Sequence, residues 1–310
     1  MPFSLTMKAF LALPLVLLMA GCKPDAESPS ATASKSGKPQ VYVANYPLKY
    51  FAERLGGDLV EVHFPAPGDE DPAFWQPDDD TIAKFQSADL ILMNGASYSK
   101  WVDGTTLPDD KVVNTSSAFS KDFIEIKDAT THSHGPGGEH SHSGTAFTTW
   151  IDLQQAIQQA QQVSNSLQSL APQDEKEAIE KRFEELKKEL TSLDERLLGL
   201  GKRMAKAPLV ASHPVYHYLA RRYDLNIQSV LWEPETVPDD KAMAELKTLL
   251  TTHPAQWMIW EGEANQESVT KLTAIGLKSL VFDPCGNAPD QGDFISVMKA
   301  NVEALEKAFP

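Results

Sequence analysis

Val41-Tyr42-Val43-Ala44-Asn45-Tyr46-Pro47-Leu48 decides the fold. A short apolar run leads directly into a helical segment, Leu48 to Leu55, that stops at Gly56-Gly57, and Leu59 to Phe64 then reads as a second strand. Ile82 to Ala88 continues as a helix, and Leu90-Ile91-Leu92-Met93 is a wholly apolar strand closed by Asn94-Gly95. Strands alternating with helices in this way make βαβ units, so a parallel sheet is expected. The rhythm returns later in the chain. Leu209-Val210-Ala211, Ile227 to Leu231, Trp257 to Trp260 and Ser279 to Phe282 read as strands, separated by helices at His217 to Tyr223, Met243 to Leu250 and Val269 to Ile275. The fold class expected is α/β, with two parallel-sheet lobes.

Between the two blocks Ile179, Phe183, Leu186, Leu190, Leu193, Leu197 and Leu200 recur at steps of three and four, with Glu, Lys and Arg on the other faces. One amphipathic helix of about 30 residues, roughly 45 Å long, fits this stripe. A coiled-coil seam would leave the same pattern. A rigid spine laid along both lobes is preferred, because the flanking βαβ blocks offer apolar surface to cover. The chain therefore divides into an N-terminal lobe at 40–150, a connecting helical segment at 151–206 and a C-terminal lobe at 207–310.

The N-terminus carries an export signal. Met1 to Lys8 holds one positive charge, and Ala9 to Met19 is an apolar run broken by Pro14, too short to span a bilayer. It ends in Leu18-Met19-Ala20-Gly21-Cys22, which resembles the lipobox of bacterial lipoproteins and implies a signal peptide at 1–21 and lipidation of Cys22. Residues 22–39 are small and polar, and read as a flexible tether. The formal net charge of −15 argues against nucleic acid and against an anionic membrane surface as the main partner. Of the two cysteines, Cys285 alone remains once Cys22 is lipidated, so no disulfide framework can form within the chain. No G-x-S-x-G elbow, phosphate loop or H-E-x-x-H motif is present, and an enzyme finds little support.

These features, taken in order, resemble the zinc/manganese solute-binding proteins of ABC importers, the cluster A-I family. The resemblance runs from about Val41 to the C-terminus. It rests on Asn45-Tyr46-Pro47-Leu48 with Phe51-Ala52-Glu53 and Gly56-Gly57-Asp58, Gly68 through Asp71-Pro72, Ala88-Asp89-Leu90 with Asn94-Gly95 and Trp101, Ser212-His213 before Tyr216, and Phe282-Asp283-Pro284. It implies a metal cleft between the lobes with two ligands from each. The third and fourth ligands match His213 and Asp283. The first two do not match: Asp71-Pro72-Ala73 carries alanine where a D-P-H turn has histidine, and Thr148 in Ala146-Phe147-Thr148-Thr149-Trp150 takes the other histidine position. One His and one Asp fall short of the four ligands zinc normally takes, so the cleft is expected to be degenerate.

Three repairs suggest themselves, each with a plainer reading. Asp69, Glu70 and Asp71 offer oxygen ligands, or form a solvated acidic loop. His217 follows His213 by four residues and would share its face if the helix had begun by His213; otherwise it is simply packed or exposed. Cys285 would bind zinc or copper as a thiolate, or sit inert in the core. The aromatic residues Phe74, Trp75 and Trp232 suggest a walled pocket for a chelated metal or organic ligand. Trp150 reads as packing.

A second metal feature is Thr131-His132-Ser133-His134-Gly135-Pro136-Gly137-Gly138-Glu139-His140-Ser141-His142, holding four of the eight histidines. Two H-x-H pairs across a Gly/Pro turn suit Zn, Cu or Ni. His132, His134, His140 and His142 are candidate ligands in a His-rich loop at 131–143; the competing reading is a surface loop that binds metal weakly. The expected function is capture of a divalent transition metal, zinc before manganese or copper. It would act for an ABC permease, as a monomeric, membrane-anchored lipoprotein on the periplasmic or cell-surface side. The alternatives are a metal buffer or chaperone using the loop, and a receptor for a metal chelate or organic ligand.

Overall fold

In the computed structural model the described residues are 37–126, 131–133, 139–141 and 144–310. The residues expected to form the signal peptide, Cys22, and most of the expected tether lie outside them. The first lobe runs β1 (Gln40–Val43), α1 (Tyr46–Gly56), β2 (Glu61–His63), α2 (Asp79–Ser87), β3 (Leu90–Met93) and β4 (Val112–Asn114). Its four strands are parallel, in the order β2-β1-β3-β4. Local chemistry sets the helix starts. The Asn45 side chain accepts the Leu48 N–H with Pro47 in the first turn of α1, and Asp78 accepts the Thr81 N–H at α2. A short antiparallel pair, β5 (Glu125–Ile126) with β8 (Gly144–Thr145), brackets a hairpin of β6 (Thr131–Ser133) and β7 (Glu139–Ser141).

Two helices, α3 (Leu153–Leu170) and α4 (Lys176–Met204), lead to the second lobe. That lobe is β9 (Pro208–Ala211), α5 (His217–Tyr223), β10 (Asn226–Ser229), α6 (Asp240–Thr252), β11 (Trp257–Trp260), α7 (Gln266–Ala274), β12 (Lys278–Val281) and α8 (Phe294–Ala308). Its strands are also parallel, in the order β10-β9-β11-β12. Both lobes thus have the architecture expected from the strand and helix rhythm.

The spine is α4, 29 residues long. Every residue of the leucine-rich stripe from Ile179 to Leu200 is at most 2% exposed, packed against α1, α3, α5 and α8 of the same chain. The stripe is consumed internally, which explains it without a coiled-coil partner. Gly201 lets α4 meet the end of α5 backbone to backbone, since a β-carbon there would stand 2.0 Å from the Tyr223 carbonyl oxygen. Nearby on the same helix, the buried carboxylate of Asp194 accepts from Arg222 at 2.6 Å and from the Tyr223 hydroxyl at 2.9 Å, so its charge is paired. The C-terminal helix α8 returns to the first lobe, where Phe294 packs edge-on against Phe51 at 5.4 Å. No helix among the described residues is long and apolar enough to cross a membrane.

Candidate metal centre

In each sheet the first strand has the second on one side and the third on the other. The connections therefore diverge, leaving a crevice outside the carboxyl ends of the strands. In the second lobe each strand delivers one ligand-type side chain to that edge: His213 after β9, Glu233 after β10, Glu261 directly after β11 and Asp283 after β12. In the first lobe the matching positions after β1 and β3 are Asn45 and Asn94, buried and bonded to each other at 3.2 Å. The chemistry-bearing side is the second lobe.

His213, Glu233 and Glu261 form a cluster in which one ligand atom from each lies within 4.8 Å of the others. His213 is 3% exposed. Its Nδ1 stands 3.5 Å from Oε1 of Glu233 and 3.5 Å from Oε1 of Glu261. That is longer than an ordinary N–H···O hydrogen bond of roughly 2.7–3.2 Å. It matches the edge of a tetrahedron whose centre lies about 2.1 Å from each ligand, a separation of about 3.4 Å. Three donors spaced in this way can hold a zinc-sized cation.

The electrostatics favour a cation too. Burial raises the Glu261 carboxyl well above its ordinary range, and the charges of Glu233, Asp71, Glu235 and Asp283 raise it further. Burial also raises Asp283, against the opposing hydrogen bond its Oδ1 accepts from the Cys285 N–H at 2.6 Å. Negative charge thus converges on the desolvated Glu261 carboxyl, and a divalent ion relieves that repulsion.

Asp283 lies outside the triad, though its charge acts on Glu261. Asp71 is exposed at the first-lobe rim, with Oδ1 accepting the Ala73 N–H at 2.9 Å, and its field reaches Glu261. Asp69 and Glu70 are exposed and outside the triad. Helix α5 begins at His217, so His213 lies in the preceding turn and the two imidazoles do not share a helical face; the condition for an i, i+4 pair is not met, and the plainer reading of His217 fits. His217 lies outside the triad, and burial lowers its pKa. For Cys285 the plainer of the two readings fits, a thiol inert in the core. It is 1% exposed in the core, and burial with the charges of Asp283 and Asp293 drives its pKa up, which keeps it a thiol.

The two positions where the resemblance implies histidine are taken up in packing. Ala73 is fully buried, and the Thr148 hydroxyl donates across the lobes to the Val215 carbonyl. Trp150, as expected, is buried; its Nε1 donates to the Pro284 carbonyl at 2.7 Å. Trp232 packs on Trp260 inside the second lobe, and Trp75 packs beside the cluster around Phe85 and Trp101. Phe74 lies edge-on to Phe147. Trp150 and Trp232 are thus packing residues, while Phe74 and Trp75 are only partly buried. In the His-rich loop the backbone places His132 opposite His140 across the β6–β7 hairpin; His134 and His142 lie outside the described residues. Sequence reasoning missed Glu233 and Glu261. Asp283 came from the family resemblance; the signal available for Glu261 was its place directly after the apolar run Trp257–Trp260.

Fold and site together define a two-lobed binding protein whose cleft carries a cluster of metal-ligating side chains. A family model described as zinc-uptake complex component A, periplasmic, matches residues 41–308, and the chain belongs to that family. It is 26% identical over 299 residues to the high-affinity zinc uptake system protein ZnuA of Bacillus subtilis, covering 94% of this chain and 93% of that one. It is also 26% identical over 285 residues to the zinc-binding lipoprotein AdcA of Streptococcus pneumoniae, covering 87% of this chain but only 56% of AdcA's length. The crystal structure of the metal-dependent lipoprotein YcdH from Bacillus subtilis has the same fold, with a TM-score of 0.73 at 23% identity over 87% of this chain and 98% of that one.

Proposed function

We propose that this chain is the extracytoplasmic solute-binding lipoprotein of an ABC importer, capturing a divalent transition metal, zinc foremost, and handing it to a membrane permease. The observation that carries this reading is the His213–Glu233–Glu261 triad, with His213 Nδ1 3.5 Å from a carboxylate oxygen of each glutamate. One imidazole with two carboxylates gives three protein ligands of the type zinc takes, and the spacing suits a tetrahedral ion. Asp71 from the first lobe and Asp283 from the second add negative charge that acts on Glu261. Anchoring would be through Cys22, and the protein would work as a receptor, not an enzyme, in keeping with relatives named for zinc uptake and zinc binding. The test is zinc titration of the purified mature protein followed by metal uptake assays with its permease. Saturable binding that depends on His213 supports the reading; uptake that is indifferent to the protein contradicts it.

A second reading has its own observation. The β6–β7 register brings His132 and His140 opposite each other, which favours metal capture by the His-rich loop. A loop that buffers metal and a cleft that delivers it are separable by mutating each alone.

A further inference from the structure

Between β12 and α8 the chain crosses back to the first lobe as a strap, and its bonds are specific. The Pro284 carbonyl accepts from Trp150 Nε1 at 2.7 Å, and the Gly286 carbonyl accepts from the Tyr46 N–H at 3.0 Å. Asn287 then reaches further. Its Nδ2 donates to the Pro67 carbonyl at 2.8 Å and to the Glu70 carbonyl at 3.0 Å, while its Oδ1 accepts the Ala288 N–H at 2.8 Å. Both recipients lie in the loop after β2, directly before Asp71. The strap begins at Asp283, whose Oδ1 accepts the Cys285 N–H at 2.6 Å and holds Cys285 in the left-handed region at φ 58°. A non-glycine residue in that region stores strain, so the strap's shape is imposed by its bonds.

We propose that Asn287 is the positioning residue that makes the metal site two-lobed: it straps residues 67–70 to the second lobe and so presents Asp71 to an ion held by His213, Glu233 and Glu261. This rests on the metal-receptor reading above. The amide of Asn287 bonds two backbone carbonyls of a single first-lobe loop. Losing those bonds would free the loop without removing a charge or a ligand. Asp71 follows Glu70 directly, so the bond that fixes the Glu70 carbonyl also fixes where the Asp71 carboxylate stands, and that placement decides whether the cleft holds the ion from one lobe or from both. Asn287 would thus act on the ion through Asp71 and not by contact.

The experiment uses the full chain with His132, His134, His140 and His142 changed to serine, so that Zn2+ added alone reports on the cleft. Zinc affinity and the rate of zinc release to a chelator are measured for this background and for N287A, N287D, D71N and N287A/D71N. The expected result is about tenfold weaker binding for N287A, carried mainly by faster release. N287D should match N287A, because aspartate keeps the acceptor and loses the donors. The double variant should be no weaker than D71N alone, and the apo protein's melting temperature should stay at the background value. Unchanged affinity and release in N287A would overturn the proposal, as would additive losses in the double variant, which would make Asn287 independent of Asp71. A background that binds no zinc would instead remove the receptor reading on which the proposal stands.

Discussion

Nδ1 of His213 and Oε1 of Glu261 stand 3.5 Å apart at the carboxyl ends of the neighbouring strands β9 and β11. This is the point where the chain's connections diverge, and the pair is the core of the candidate site. Replacing Glu261 by Gln should weaken zinc binding by about tenfold or more, since a ligand is lost outright while the shape is kept. E233Q should do the same. Competition titration against a fluorescent chelator measures it, and an E261Q protein with wild-type affinity would exclude Glu261 as a ligand.

Acid–base linkage gives a second outcome. Because Glu261 is raised above its ordinary 4.5, the folded apo protein holds more protons than the unfolded chain. The stability associated with that protonation is present below about pH 4.5 and is lost as pH rises toward the folded value. Asp283, raised from 3.8, acts in the same direction. The metal-free protein should therefore lose stability as pH rises through this window, and E261Q should flatten the slope. Denaturant unfolding at a series of pH values checks this; a slope that E261Q leaves intact would assign the effect to other groups.

The buried Cys285 supplies a negative control. Its thiol is held protonated in the core, so Cys285→Ala should leave zinc stoichiometry and affinity unchanged while lowering stability through the small cavity that the missing sulfur leaves. A drop in zinc affinity in C285A would restore the thiolate ligand that the structure argues against.

The His-rich loop should behave differently from the cleft. Imidazole binds metal only when neutral, and its unperturbed pKa is about 6.5. Changing His132, His134, His140 and His142 together to serine should remove about one zinc equivalent or more and most of the loss of binding on acidification toward about pH 5. Equal stoichiometry and an unchanged pH profile would make the loop a passive linker.

The fold was legible because its strands are short apolar blocks with clean stops. Leu90–Met93 and Trp257–Trp260 fall where the sequence places them, and the leucine stripe of α4 is read residue for residue. Helix α3 was not read as a separate element: Leu153, Ile157, Val163 and Leu167 line its buried face, but Gln155, Gln159, Ser164 and Ser166 are buried among them and interrupt the apolar stripe. Strand β4 has three residues, too few to show a period. The site was half legible. His213 and Asp283 stand in recognisable turns, but Glu233 and Glu261 are acidic residues in an acidic chain, and only the sheet's strand order brings them to His213. The lost ligands could be read as absent, but not what they had become, since Thr148's acceptor, Val215, belongs to the other lobe.

The most direct test of the central claim is the metal content, by mass spectrometry, of the four-serine loop variant with His213 intact and with His213→Ala. The triad predicts about one zinc per chain in the first and essentially none after buffer exchange in the second. Equal zinc in both proteins would show that the ion is held elsewhere and that the cluster of His213, Glu233 and Glu261 is not the cargo site.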